Sequence, residues 1–401
     1  LDASGRTTRN MSLGYIASGS GAAVCAVTAA LDNSGVRTHH VLKVSMDKDS
    51  LMREAQRGVE AFALMRPALM ARQSPGYAVG PVNGWYALAS QLQGSALTLR
   101  SWLERGASDA AVEDVFAALF TDGLGGMYAD TGDETESPAN LLRTPYYRQR
   151  RILHSIKELS PVLTHPDGCR LPAAMVGELT DRLTSFVVEG RIGAADPQRM
   201  ASRTTFGAFA HGDLHGANVL VYEGRHPEPA VIDASRFGHA HWAADPARLA
   251  VDLLMHSVDA GVESMFFTGF ERWRDAAARL GRLEPPAAAA GGRAPFPETS
   301  NPDNLKESTQ VADGAALAAL SWLTANLRAF CPGLAGEAEF REHAWEWHTA
   351  LARCLLRSAY DQEITVPKRT LALVAAHDQL TAAAQKVSQT VSPALSQAAP
   401  K

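Results

Sequence analysis

His211-Gly212-Asp213-Leu214-His215-Gly216-Ala217-Asn218, with Ala230-Val231-Ile232-Asp233 ending fifteen residues beyond Asn218, is the stretch on which the reading of this chain turns. An Asp and an Asn five residues apart on a loop between two strands can reach one cleft. A second Asp, at the end of an apolar strand, can face the same point. These are hard oxygen donors, and Mg²⁺ needs only one or two of them because it keeps several waters. A carboxylate so placed can also orient an alcohol and take its proton while the metal steadies phosphate oxygens, which is what phosphoryl transfer asks of a protein. A lone His-Gly-Asp is more often a turn with a capping Asp; the spaced Asn and the strand-ending Asp make the whole pattern far more restrictive. His211 reads as a brace for the loop backbone. His211 and His215 stand four apart, but no third nitrogen or sulfur ligand accompanies them at a zinc-like spacing.

The pattern resembles that of the aminoglycoside phosphotransferase and choline kinase-like family, in which HGDxxxxN precedes an Ile-Asp. It is also similar to the protein kinases, whose catalytic loop HRDxxxxN is followed by DFG. The resemblance covers about residues 10 to 275 and implies an α+β, two-lobed protein kinase-like fold. The N-terminal lobe would be a five-stranded antiparallel sheet with one helix, and the C-terminal lobe mostly helical. It further implies ATP and Mg²⁺ as cofactors, Asp213 as catalytic base, and Asn218 and Asp233 as metal ligands.

Lys43 interrupts the apolar run Val41-Leu42-Lys43-Val44. A buried ammonium is costly without an anionic partner. In the resembled family this third-strand lysine contacts the α- and β-phosphates and pairs with a glutamate of the first helix. Glu54, in Met52-Arg53-Glu54-Ala55, is the better candidate, with Glu60 as its rival. Gly19-Ser20-Gly21 lies between two strand candidates; it suits a loop folded over phosphates and equally a plain hairpin turn. The segment 87 to 94 resembles the family's linker to the second lobe, making Gln91 and Leu92 candidate nucleotide contacts. Ser90 stands where that linker usually has an acid, which leaves adenine versus guanine open. After Asp233 the chain reads Ala234-Ser235, not Phe-Gly, and only eleven residues separate it from Asp245. That spacing favours a small-molecule acceptor over a peptide. Asp245 and Asp252 are expected to cap a helix and brace the catalytic loop.

Period-two patterning predicts strands at 13–17, 22–31, 38–45, 77–80 and 85–92, with Asn83-Gly84 as a hairpin turn and a helix at 49–66. A strand-loop-strand unit is expected at 207–234 and helices over most of the remainder. The domain reading is a nucleotide-binding lobe at 10–92 and a catalytic and substrate-binding lobe at 95–388. The latter carries a Pro-, Gly- and Ala-rich stretch, 284–314, expected to be a mobile insertion.

The chain has 401 residues, 46% of them hydrophobic, and a formal charge of −5. No Lys/Arg run suggests a nucleic-acid groove. Four cysteines without a CxxC pair read as reduced thiols of a cytoplasmic protein. Residues Leu1 to Arg6 carry no apolar signal-peptide core, and no apolar run has the length of a membrane span. The family resemblance and the short segment after Asp233 imply a small-molecule hydroxyl acceptor as the partner. Two surfaces could receive one: acidic Asp130, Asp133, Glu134 and Glu136, or aromatic Trp322, Trp345, Trp347 and Tyr360. Trp345 and Trp347, two apart on a helix, diverge and cannot line one wall. The competing functions are a protein kinase or kinase-like regulatory domain, and a non-catalytic nucleotide-binding relic.

Overall fold

The structure is a computed structural model that describes residues 8–19, 22–31, 37–65, 72–73, 79–92, 94–129, 137–165, 169–258, 268–281, 307–330, 332–334 and 336–396. Strands β1 (Thr8–Gly19), β2 (Ala22–Leu31) and β3 (Arg37–Ser45) pair antiparallel in succession. Helix α1 (Lys48–Leu64) follows. Its start is fixed by Asp47, whose side chain accepts from the Ser50 amide at 2.9 Å, and by Asp49 in the first turn, which suits the positive end of the helix dipole. The buried face of α1 is Leu51, Glu54, Ala55, Gly58 and Ala61. Leu51 and Ala55 pack with Leu88.

β4 (Arg72–Gln73), β5 (Val79–Val82) and β6 (Trp85–Leu92) complete the sheet. Asn83 and Gly84 have φ of 53° and 81°, the left-handed pair that a two-residue hairpin turn needs. The order is β1-β2-β3-β6-β4, with β5 also on β6. The sheet thus has six strands where five were expected. The additional one is β4, whose two residues are too few for an alternation to register.

Contacts divide the chain into two compact units. One comprises Leu1–Trp102, Asp114–Met127 and Phe209–His239; the other comprises Leu103–Glu113, Tyr128–Ala208 and Ala240–Lys401. Besides the large sheet, the first unit holds the strand ladder β10-β9-β7, formed by β7 (Ala96–Thr98), β9 (Val219–Tyr222) and β10 (Glu228–Val231). The intervening β8 is Gly207–Ala210. Val41, Leu92, Leu220, Ala230 and Ile232 form one apolar cluster, with Val24, Ala96 and Tyr222 partly buried at its margin.

The second unit is mostly helical. In chain order its helices include parts of α2 (Leu99–Glu104), α3 (Asp109–Ala117) and α4 (Gly125–Ala129), then α5 (Ala139–Leu142), α6 (Tyr146–Thr164), α7 (Ala173–Glu189), α8 (Pro197–Ala201), α9 (Ala244–His256), α10 (Thr268–Leu280), α11 (Glu307–Phe330), α12 (Glu337–Ser358) and α13 (Val366–Ser396). Trp273, Trp345 and Trp347 are fully buried in it. Trp345 and Trp347 therefore serve as core, and Trp347 donates to the Leu280 carbonyl at 2.7 Å. Of the stretch 284–314 expected to be a mobile insertion, 307–314 forms the first turns of α11, and 284–306 lies outside the described residues. The acidic residues Asp130, Asp133, Glu134 and Glu136 also lie outside them. Among the described residues no helix is long and apolar enough to cross a membrane.

Candidate active site

Side chains alternate along a strand, so Lys43 projects from the same face of β3 as Val41 and Ser45, which are both buried. Its ammonium donates to Glu54 Oε2 at 2.7 Å and to Asp233 Oδ2 at 2.8 Å. The pairing falls on Glu54; Glu60 accepts instead from Gln56 at 3.3 Å on the exposed side of α1. Glu54 is 3% exposed, an acid on the buried face of a helix. Burial first, and then the charge of Asp233, push its carboxyl up to about 7 against the pull of Lys43. Burial also works upward on Asp233, yet the Lys43 ammonium and the Ser235 amide outweigh it and hold this carboxyl below its ordinary value. On Lys43, burial is opposed by both carboxylates, which together raise its pKa. One ammonium is thus shared by two carboxylates.

Asp233 has φ 61° and ψ 64°, a left-handed conformation rare for a residue with a side chain. Such strain persists where surrounding contacts over-determine it, and it concentrates at functional sites. The contacts are visible here. The His211 ring, 0% exposed, donates from Nε2 to the Ile232 carbonyl at 2.9 Å, since a carbonyl can only accept. The Ile232 amide donates to the Asn218 carbonyl at 3.0 Å, extending the β9–β10 ladder by one rung. Asp233 Oδ1 accepts from the Ser235 amide at 3.3 Å. His211 and Asn218 thereby tie both ends of the 211–218 loop to the residue before Asp233.

Within that loop Asn218 is 7% exposed and its amide nitrogen donates to the Asp213 carbonyl at 3.0 Å. That bond fixes which end of the amide is nitrogen and leaves the oxygen as the group a cation could use. Gly212 has φ 79°, and a Cβ there would lie 2.2 Å from the Arg236 carbonyl oxygen. Only glycine allows this close approach of the loop to the 3₁₀ turn Ala234–Arg236. Arg236 Nε lies 3.6 Å from Asp213 Oδ2, and Arg57 of α1 donates to the Ser235 carbonyl.

Lys43, Glu54 and Asp233 are therefore joined directly, while Asp213 and Asn218 are linked to them through the loop backbone. Gln91 and Leu92 end β6, Gln91 exposed and Leu92 in the apolar cluster with Val41 and Ile232. Gly19 ends β1 opposite Ala22, and Gly21 lies outside the described residues. Asp245 and Asp252 lie within α9 and neither is its N-cap. α9 has Ala243 as its N-cap; Asp245 is buried in the first turn, where it accepts from the Tyr128 hydroxyl at 3.3 Å, and Asp252 pairs with His256 at 3.9 Å. Sequence reasoning assigned Lys43 and Asp233 to one site but gave Lys43 only a glutamate as its ion-pair partner, and it passed over Arg236, whose place three residues after Asp233 was the available signal.

The donors suit a hard cation. Among the described residues no cluster of three or more His, Cys, Asp or Glu side chains could hold an ion unaided. A nucleotide-bound Mg²⁺ does not need one, because phosphates and water complete its shell.

No family model and no curated protein sequence matches the chain. Among solved structures, similarity is found to the GDP complex of wild-type aminoglycoside 2'-phosphotransferase-IIIa, at 11% identity over 94% of each chain with a TM-score of 0.42. Aminoglycoside phosphotransferase APH(3'')-Id from Streptomyces rimosus is 17% identical over 77% of this chain and 93% of its own, with a TM-score of 0.33. An ethanolamine kinase from Plasmodium vivax is 11% identical over 96% of this chain and 83% of its own, with a TM-score of 0.32. Scores this low leave the functional reading to the geometry of the site itself.

Proposed function

We propose that this protein transfers the γ-phosphoryl group of ATP, with Mg²⁺, to a hydroxyl of a small molecule. The observation that carries the reading is the Lys43 ammonium held between Glu54 and Asp233, with Asp233 in a left-handed conformation tied to the 211–218 loop. Lys43 is assigned to the nucleotide phosphates, with Glu54 as the residue that aims it. Val41 and Ile232 neighbour Lys43 and Asp233 along the chain and share an apolar cluster, so the base is assigned to the partly exposed margin of that cluster, with the Gln91–Leu92 backbone at its edge. Gly19 and Gly21 are assigned to the phosphates. Residues 10–92 would serve the nucleotide, and 95–388 the catalytic loop and the acceptor.

Asn218 and Asp233 would hold the metal, which when bound neutralises charge on the phosphate oxygens. Asp213 would accept a hydrogen bond from the acceptor hydroxyl, orient its oxygen at phosphorus and take the proton as the new P–O bond forms and the bond from the γ-phosphorus to the β–γ bridging oxygen breaks, ADP leaving with that oxygen. Arg236 stands beside the Asp213 carboxylate, its Nε 3.6 Å from Oδ2. A peptide acceptor is disfavoured because the eleven residues between Asp233 and Asp245 are taken up by the 3₁₀ turn, the strand β11 (Gly238–His241) and the start of α9.

The test is a panel of alcohols (aminoglycosides, choline, ethanolamine, homoserine, methylthioribose, sugars and macrolides) offered with ATP and Mg²⁺, transfer being read by mass spectrometry. On the alcohol that is phosphorylated, Asp213→Asn should lower turnover about 10²- to 10⁴-fold with ATP affinity nearly unchanged. Turnover at the wild-type rate would remove Asp213 from the chemistry, and phosphorylation of a protein in place of any alcohol would move the reading to a protein kinase.

A further inference from the structure

Each carboxylate oxygen of Asp233 is tied to helix α1 through one intermediary. Oδ2 accepts from the Lys43 ammonium at 2.8 Å, and the same ammonium donates to Glu54 at 2.7 Å. Oδ1 accepts from the Ser235 amide at 3.3 Å, and the Ser235 carbonyl accepts from Arg57 Nη1. Glu54 and Arg57 stand three residues apart on α1, which makes them neighbours on its surface. Glu54 is buried and Arg57 exposed, so the first tie is made under the helix and the second in solvent. The Arg57 bond joins residues 178 apart in the chain. Glu60, three residues on and within reach of an arginine on the same helix, accepts instead from Gln56 at 3.3 Å.

The two ties differ in what a nucleotide does to them. Lys43 is assigned to the phosphates, so a bound nucleotide competes with Asp233 for its ammonium. The Arg57 bond ends on a backbone carbonyl of the turn and involves neither that ammonium nor either carboxylate. Asp233 meanwhile keeps a left-handed backbone, φ 61° and ψ 64°, which persists only where its surroundings enforce it. We infer that Arg57 is a positioning residue: it clamps the 3₁₀ turn Ala234–Arg236 to α1 and keeps the Asp233 carboxylate aimed at the metal once Lys43 turns to the phosphates. This role rests on the phosphotransfer reading, which gives Asp233 to Mg²⁺ and Lys43 to the nucleotide; the clamp itself rests on the hydrogen bond alone.

Two measurements on the full chain test it. Arg53→Ala is the control, because Arg53 is an exposed arginine of the same helix about one turn earlier. In the ligand-free protein the probes are the amides of Ser235 and of Phe237, the latter bonded to the Ala234 carbonyl at 3.0 Å. Their hydrogen exchange should be about tenfold faster in Arg57→Ala, unchanged in Arg53→Ala and largely restored in Arg57→Lys. In calorimetric titration with ATP, the gain in affinity from Mg²⁺ over excess chelator should shrink about three- to tenfold in Arg57→Ala. Affinity in chelator should stay at the wild-type value, and Arg57→Lys should recover the gain. Wild-type exchange at both amides in Arg57→Ala would remove the clamp. Equal loss of affinity in Mg²⁺ and in chelator, or the same loss in Arg53→Ala, would reduce Arg57 to a charge that attracts ATP and overturn the positioning role. Faster exchange in Arg57→Ala beside a wild-type protein indifferent to Mg²⁺ would instead overturn the metal assignment of Asp233, and the positioning role with it, while the clamp stood.

Discussion

Glu54 in the first unit and Glu346 in the helical unit are 3% and 1% exposed, and in every other respect they are opposites. Glu346 Oε2 accepts from Thr205 at 2.6 Å, Trp242 at 2.8 Å and His241 at 3.0 Å, and its Oε1 from His343 at 3.0 Å. Burial works upward on its carboxyl, yet the hydrogen bonds from His241 and His343 hold it at about 2. Glu54 shares the Lys43 ammonium with Asp233 and is pushed up to about 7. Equal burial therefore says little about role, whereas saturation says a good deal. A carboxylate surrounded by donors locks a structure; two carboxylates on one ammonium leave negative charge for a further cation.

The contrast predicts its largest effect in the helical unit. Replacing Glu346 with Ala strands four buried donors from β11, α12 and the segments beside them, and should cost on the order of 3–5 kcal/mol in urea unfolding. A loss within 1 kcal/mol would mean that the network is ornamental and the contrast false.

The two acids should also bend stability with pH in opposite directions. Glu346 has a depressed value, so its contribution is complete above its ordinary 4.5 and is lost as pH falls through about 2. Glu54 has a raised value, so its contribution is present below about 4.5 and is lost as pH rises through about 7. Unfolding measured from pH 3 to pH 8 should show Glu346→Gln flattening the acid limb and Glu54→Gln flattening the decline between 4.5 and 7. At neutral pH, Glu54→Gln should change stability by less than about 1 kcal/mol, the smallest effect of the set, because Lys43 keeps Asp233 as its partner. The same slope in both variants would erase the distinction between a saturated and an unsaturated acid.

Much of the first unit was legible because its signals are local. Alternation marks β2 and β3, Asn83-Gly84 marks a hairpin, and Asp47 before an apolar-faced run marks the start of α1. The Lys43–Glu54 pair could be anticipated because a charge on an inner strand requires an anion, and the neighbouring helix is the nearest source. The Lys43–Asp233 bond joins residues 190 apart, and no pattern in either segment encodes it. The Glu346 hub was illegible for the same reason: Thr205 lies 141 residues away, and Glu346 sits between Trp345 and Trp347 in a helix whose faces are nearly all buried. Helix α11 begins at Glu307, earlier than the composition of 284–314 suggested, because compositional bias conceals the helix propensity of residues such as Glu307 and Ala312. β4 was missed because two residues carry no period.

Whether the Lys43–Glu54–Asp233 group receives a metal-bound nucleotide is tested most directly by calorimetric titration with ATP, in Mg²⁺ and in excess chelator, of the wild-type protein and of Asp233→Asn. The wild type should bind ATP about 10- to 100-fold more tightly with Mg²⁺ than with chelator, and Asp233→Asn should lose most of that difference. Equal affinity of the wild-type protein for ATP in the two conditions would contradict the assignment of Asp233 and Asn218 to the metal.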